Sequence, residues 1–136
     1  MSKTALFAFA AMALYAGWAF LAKLATRTIP AEQAVIYTYV AGLTAAAGYL
    51  LWRGGPVVAT TRGIGLALAG GLLLGLGTIT YYIALSQGSA AVATSISGMY
   101  LLGTTLLAVV FLDESLGQVK IAGIALAVGA VVLLAQ

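Results

Sequence analysis

At 136 residues the chain is long enough for one soluble domain, but 63% hydrophobic and 7% charged residues leave too little polar surface to cover one. With a mean hydropathy of +1.13, the composition is that of an integral membrane protein. Six Lys and Arg stand against three acids, scattered singly, which excludes a nucleic-acid surface and leaves these charges to set orientation in the lipid bilayer.

The chain has no cysteine and no histidine. That excludes disulfides and any thiolate or imidazole metal site, and neither a metal nor a cofactor is expected. The carboxylates are Glu32, Asp113 and Glu114, each near a predicted helix end. An enzyme has almost no acid–base or nucleophilic chemistry to work with here, so none is expected.

The apolar run from Thr4 to Ala22 follows Lys3 and is longer than a usual signal-peptide core. Cleavage after Ala25 would put Lys23 where a small residue is wanted. The run is therefore expected as a retained helix over about 4–25, with Tyr15 and Trp18 towards its far half. Lys23 and Arg27 follow, long enough to snorkel to the headgroups, and Lys23 is also the one charge that could reach inward to meet an anionic group, snorkelling being the favoured reading. Thr28-Ile29-Pro30 breaks the chain, because proline suits a helix start and not its interior. A second helix over about 31–52 carries Glu32 in its first turn, against the positive end of the helix dipole. Tyr37 and Tyr39 near one end, with Tyr49 and Trp52 near the other, fit two interfacial aromatic belts.

Arg53-Gly54-Gly55-Pro56 marks a loop. From Gly63 to Leu112 the next fifty residues contain no Asp, Glu, Lys or Arg. As one helix they would run roughly 75 Å, more than twice the ~30 Å hydrocarbon core. Ser86-Gln87-Gly88-Ser89 is the polar interruption that divides them into helices over about 62–87 and 89–112. Thr60 or Thr61 can cap the first of these, Gly88 ends it and Ser89 can cap the second. Beyond Asp113-Glu114, Ser115-Leu116-Gly117-Gln118 fits a capping box that opens a last helix over about 116–134.

Five spans place the termini on opposite sides of the membrane. Lys3, Arg53, Arg62 and Lys120 then share the amino-terminal side against Lys23 and Arg27 on the other, which favours a cytoplasmic amino terminus. The bias amounts to two charges, so insertion in both orientations also stays open.

The fourth helix carries the clearest periodic pattern. Ala90, Thr94, Ser97, Leu101, Thr104, Thr105 and Ala108 recur at helical spacing, and Ala93 and Gly98 widen that face. Small residues let helices approach in lipid and hydroxyls bond across the contact, so the face serves packing, a polar cavity, or each along part of its length. Gly71-Leu72-Leu73-Leu74-Gly75 is a G-x-x-x-G suited to close helix contact, and Gly123-x-x-x-Ala127 and Ala125-x-x-x-Gly129 repeat the theme. Gly71, Gly75, Gly98, Gly123 and Gly129 are thus expected to pack helices. Tyr81 and Tyr82 serve either as interfacial anchors or as an aromatic wall with Tyr15 and Trp18. Tyr100, mid-helix, bonds to a neighbouring helix or faces a cavity. No carboxylate lies at mid-membrane depth, which argues against proton-driven exchange through a buried acid.

The run Gly77-x3-Tyr81-Tyr82-x-Ala84-Leu85-x2-Gly88-Ser89-Ala90 resembles the EamA-like repeat of the drug/metabolite transporter superfamily. The likeness continues through Ser97-x2-Tyr100, Phe111-Leu112-Asp113-Glu114-Ser115-Leu116 and Gly123-Ile124-x4-Gly129, and more loosely through Tyr15-Ala16-Gly17-Trp18-x4-Lys23-Leu24-Ala25. Where the family often has proline after the tyrosine of the fourth helix, Leu101 follows Tyr100, which puts a proline kink in doubt.

The resemblance implies an all-α integral membrane domain of five transmembrane helices over 1–136, one half of a ten-helix inverted-repeat transporter fold. It is similar to the short five-helix transporters of bacteria and archaea. It further implies a half-size secondary transporter in the inner membrane that moves a small organic solute as a homodimer, an antiparallel pair being one arrangement. Tyr15, Trp18, Thr78, Tyr81, Ser97, Tyr100 and Thr104 are the expected substrate-binding residues. The rival expectation is a non-transporting membrane subunit whose glycine faces bind a partner protein.

Overall fold

The computed structural model describes residues 2–113 and 115–134, without the side chain of Lys120. Glu114 and the Lys120 charge, both weighed above, lie outside the described residues. Among the described residues every regular element is helical. Lys3–Ala25, Ala31–Arg53, Thr61–Gln87 and Ala90–Leu112 are each long and apolar enough to cross a bilayer. Large apolar side chains such as Phe7, Leu14, Leu43, Leu51, Leu72 and Leu73 are exposed, as befits a protein whose surrounding solvent is hydrocarbon.

The chain divides into two compact units, Met1–Gln87 and Gly88–Gln136. The first holds α1 (Lys3–Ala25), α2 (Ala31–Arg53) and α3 (Thr61–Gln87). Local chemistry sets each boundary. The Ser2 hydroxyl accepts the Ala5 N–H at 3.2 Å and opens α1. Pro30, with φ −56°, precedes α2. Gly54 closes α2 in the left-handed region at φ 60° and ψ 21°, its N–H reaching the Leu50 and Leu51 carbonyls, a conformation glycine adopts without steric cost. Of Thr60 and Thr61, the first is the cap and the second opens α3. The Thr60 hydroxyl accepts the Gly63 N–H at 3.2 Å and its carbonyl the Ile64 N–H at 2.9 Å.

α3 packs on both α1 and α2. The buried positions are Ala19 and Ala22 of α1, Ala31, Ala34 and Val35 of α2, and Thr78, Tyr81, Tyr82 and Leu85 of α3. Small residues on two helices admit the large side chains of the third. Tyr82 and Leu85 are the most completely enclosed side chains, at 1% and 0% exposure. In lipid such a contact is held by close packing and interhelical hydrogen bonds rather than by expulsion of water.

The second unit holds α4 (Ala90–Gly98), α5 (Tyr100–Leu112) and α6 (Gln118–Leu134), with α4 packed on α6. The expected continuous helix over 89–112 is interrupted at Met99. The Met99 N–H bonds to the Ile96 carbonyl at 3.1 Å and the Leu102 N–H to the Met99 carbonyl at 2.9 Å. Both bonds reach back three residues, so the helix tightens into a 3₁₀ turn here without any proline. Gly98, at the end of α4, lowers the cost of that departure from α-geometry.

Ser89 occupies the N-cap position of α4, its carbonyl accepting the Ala93 N–H at 3.0 Å, while its side chain makes no cap bond. α5 ends at Asp113 in the left-handed region, φ 54° and ψ 30°, which a short polar side chain tolerates better than most. α6 begins at Gln118, not at 116, and the Gly117 carbonyl accepts the Ile121 N–H at 3.2 Å. At 17 residues it is ~26 Å long, close to the shortest span a bilayer accepts.

Candidate functional site

The first unit contains a cleft of about 510 Å³, within the usual range for small-molecule pockets. Trp18, Leu21, Ala22 and Ala25 of α1 form one wall, and Ala34, Tyr37, Thr38, Ala41 and Gly42 of α2 the other. Ile29 of the α1–α2 connection and Tyr82 of α3 complete the lining. At 1.5 Å rise per residue, Trp18 lies ~10 Å and Gly42 ~17 Å along the helices from that connection, the second close to half the ~35 Å length of α2. The cleft therefore reaches from one end of the unit to about mid-depth. None of its described lining residues carries a charge.

A hydrogen-bonded trio lies on its lining, ~10 Å from the α1–α2 connection. The Trp18 indole Nε1–H donates to the Tyr82 hydroxyl at 3.1 Å, and that hydroxyl lies 2.6 Å from Thr38 Oγ1. One side chain from each helix of the unit thus meets at a single oxygen. Aromatic contacts extend the trio. Trp18 packs on Tyr81 with ring centroids 5.4 Å apart at 33° and on Tyr82 at 6.1 Å, while Tyr15 meets Trp18 edge-on at 6.5 Å. Offset and edge-on ring pairs are the favourable arrangements for aromatic quadrupoles.

Tyr15, Trp18 and Tyr81, all anticipated as site residues, lie together in this cluster. Tyr15 is exposed, Trp18 half-buried and Tyr81 buried. Thr78 is buried one turn before Tyr82 on α3 and does not line the cleft. Its hydroxyl donates to the Leu74 carbonyl at 2.7 Å and accepts from the Tyr39 hydroxyl at 2.9 Å, so it ties α2 to α3. Ser97, Tyr100 and Thr104 belong to the second unit. All three are exposed, and the Thr104 hydroxyl donates to the Tyr100 carbonyl at 3.1 Å.

Of the two courses open to Lys23, an inward reach and snorkelling, the structure shows a contact within the unit. Lys23 is half-buried and its Nζ donates to the Leu85 carbonyl. That carbonyl sits in the last turn of α3, where backbone acceptors lack intrahelical partners and the helix dipole is negative. A cation there is stabilised twice over, which is why it turns inward.

The sequence reading missed the contribution of α2. Thr38 lines the cleft, and Tyr39 was assigned to an interfacial belt rather than to a bond with Thr78. The available signal was Tyr37-Thr38-Tyr39, consecutive polar-tipped residues in an apolar helix. At 100° per residue they point in well-separated directions, so the three cannot all face lipid and one of them meets a neighbouring helix.

The packing glycines behave uniformly. A Cβ built at Gly71 or Gly75 meets no atom of the three-helix unit, and one built at Gly98, Gly123 or Gly129 meets none of the second. Within each unit they leave open surface.

The sequence model of one family, described as the EamA-like transporter family, matches residues 2–136. No curated protein and no solved structure matches the chain.

Proposed function

The chain belongs to the EamA-like transporter family, and on that premise we propose that its cleft is the solute site of a half-size secondary transporter. Membership implies a multi-pass membrane transporter of the drug/metabolite transporter superfamily, with the lipid bilayer and a small solute as its partners. The proposal adds how it works. A solute enters between α1 and α2, lies against the ring of Trp18 with Tyr15 and Tyr81 behind it, and is passed across by alternating access. Ser97, Tyr100 and Thr104 serve as pathway residues of the second unit, and Thr78 holds the α2 wall in place through Tyr39.

One observation carries this reading. An uncharged cleft reaches mid-depth and is lined by a hydrogen-bonded trio from three helices, Trp18, Thr38 and Tyr82. Sites at mid-depth between helices of a repeat are where alternating access requires them. Because the cleft is open, a second copy of the chain is proposed to complete the pathway, with exposed Gly71 and half-buried Gly75, where an added Cβ meets no neighbour, as a close-contact face. The homodimer resides in the inner membrane with a cytoplasmic amino terminus, and an antiparallel pair uses both orientations.

Flux measurements on proteoliposomes with a panel of neutral, anionic and cationic small solutes test the function. Transport of at least one solute, lost in Trp18→Ala, is the expected result. Protein that moves none of them in either gradient direction refutes it. A pair of carboxyl-terminal reporters, one active inside and one outside, tests the antiparallel arrangement. Signal from the outside reporter alone overturns it.

A further inference from the structure

Threonines within these helices spend their hydroxyl protons on their own backbone. Thr44 donates to the Val40 carbonyl at 2.8 Å, Thr78 to Leu74 at 2.7 Å, Thr104 to Tyr100 at 3.1 Å and Thr105 to Leu101 at 2.7 Å. Thr38 departs from this habit. Its hydroxyl partner among the described residues is the Tyr82 oxygen, 2.6 Å away on another helix.

Counting protons in the trio gives a surplus. Trp18 brings an indole N–H, and Tyr82 and Thr38 bring one O–H each. Only two bonds join them, Trp18 to Tyr82 and Tyr82 with Thr38. One hydroxyl proton is therefore unspent. Burial decides whose it is. Tyr82 is 1% exposed, and a phenol proton enclosed there without an acceptor carries the full desolvation cost. Thr38 is half-buried and lines the cleft. The arrangement with every enclosed donor satisfied runs from Trp18 Nε1–H to Tyr82 oxygen, then from Tyr82 O–H to Thr38 Oγ1. It leaves the Thr38 O–H directed at the cleft. Donation by Tyr82 polarises that last O–H and strengthens it as a donor.

Resting on the cleft's role as the solute site, we infer that Thr38 is its specificity-determining hydrogen-bond donor, and that the solute is a neutral, largely apolar or aromatic molecule presenting an acceptor oxygen, such as a ketone or ester carbonyl. An ionised solute finds no opposite charge among the described lining residues and loses hydration without replacement. Apolar walls from Leu21, Ala22 and Ala41 take the hydrocarbon part, and the ring of Trp18 provides a stacking face.

Two probes of nearly the same shape isolate the donor. Acetophenone presents a carbonyl oxygen where α-methylstyrene has a methylene group. Binding is read from Trp18 fluorescence in Trp52→Phe protein in lipid nanodiscs, with empty nanodiscs correcting for partition into lipid. The wild-type cleft prefers acetophenone by about three- to tenfold, the ratio that one net neutral hydrogen bond supplies. Thr38→Val brings the ratio to one, Thr38→Ser keeps it above one, and trimethylphenylammonium binds more weakly than acetophenone. The ratio is internal to each protein, so it does not depend on the folded fraction. A wild-type ratio of one overturns the assignment even if no variant folds, while saturable binding of both probes leaves the cleft standing as the solute site. An unchanged preference in Thr38→Val, or tighter binding of the cation, likewise overturns it. Absence of saturable binding by all three probes overturns it together with the role of the cleft.

Discussion

Replacing Tyr82 by Phe removes one oxygen and nothing else of consequence. The ring keeps its packing on Trp18 at 6.1 Å and on Tyr81 at 6.3 Å. The bond from Trp18 Nε1 at 3.1 Å and the contact with Thr38 Oγ1 at 2.6 Å are both lost. Interhelical hydrogen bonds in membranes average ~0.6 kcal/mol and reach about 1.7, so losing two of them costs about 1–3 kcal/mol, with the stranded indole N–H favouring the upper half. That is at least a fivefold change in the unfolding equilibrium. Reversible unfolding in mixed micelles with rising dodecyl sulfate, followed by far-ultraviolet circular dichroism, measures it. In Trp52→Phe background the emission of Trp18 reports the loss of its hydrogen bond directly. A double-mutant cycle with Thr38→Val separates the Thr38 bond from the Trp18 bond, and a coupling above ~0.5 kcal/mol is expected for groups in contact. Tyr82→Phe within about 0.3 kcal/mol of the parent, a margin inside the additivity error, with unchanged Trp18 emission, refutes the trio as a structural junction.

Lys23→Met keeps most of the apolar stem but leaves the Leu85 carbonyl without its Nζ donor. A loss of about 1–2 kcal/mol is expected from the charged bond and the helix-end charge together, checked by the same unfolding assay, with Lys23→Arg retaining more stability than Lys23→Met. Gly54→Ala forces a side chain into the left-handed region at φ 60° and costs ~1 kcal/mol, read as a lower unfolding midpoint. Asp113→Gly at φ 54° relieves the same strain and stabilises by about 0.5–1 kcal/mol. Gly71→Ala with Gly75→Ala meets no atom of its own unit and raises helix propensity by ~1 kcal/mol per site. The protomer is therefore retained while cross-linking of copies in the membrane falls, and undiminished cross-linking removes these glycines from the dimer face.

Helix placement was largely readable because it follows from local rules. The uncharged run from Gly63 to Leu112 had to break for length alone, and it breaks at Gly88 and Ser89, between α3 and α4. Gly54 and Thr60 act as their residue types suggest. The break at Met99 was not readable, since no proline marks it and a single 3₁₀ turn costs little beside Gly98. The start of α6 moved to Gln118 because S-x-x-Q is one of several openings a helix accepts. For the site, aromatic character singled out Tyr15, Trp18 and Tyr81, but the hydroxyls were indistinct. Thr38, Thr78 and Thr104 read alike in one dimension, yet Thr78 and Thr104 donate to carbonyls of their own helix while Thr38 pairs with a side chain of another.

Composition and the distribution of charge determined by themselves that this chain lives in a bilayer as helices, because unpaired backbone polar groups and buried charges are costly in hydrocarbon wherever they occur. Motif spacing carried the family, which the match over residues 2–136 establishes. Tertiary structure alone decided which hydroxyl is spent and which is offered. That depends on three helices bringing Trp18, Thr38 and Tyr82 to one oxygen, and on burial withholding an acceptor from the Tyr82 proton other than Thr38. Lys23 gives the same lesson at a helix end. Its charge was visible in the sequence, but the carbonyl that draws it inward lies sixty-two residues away on α3.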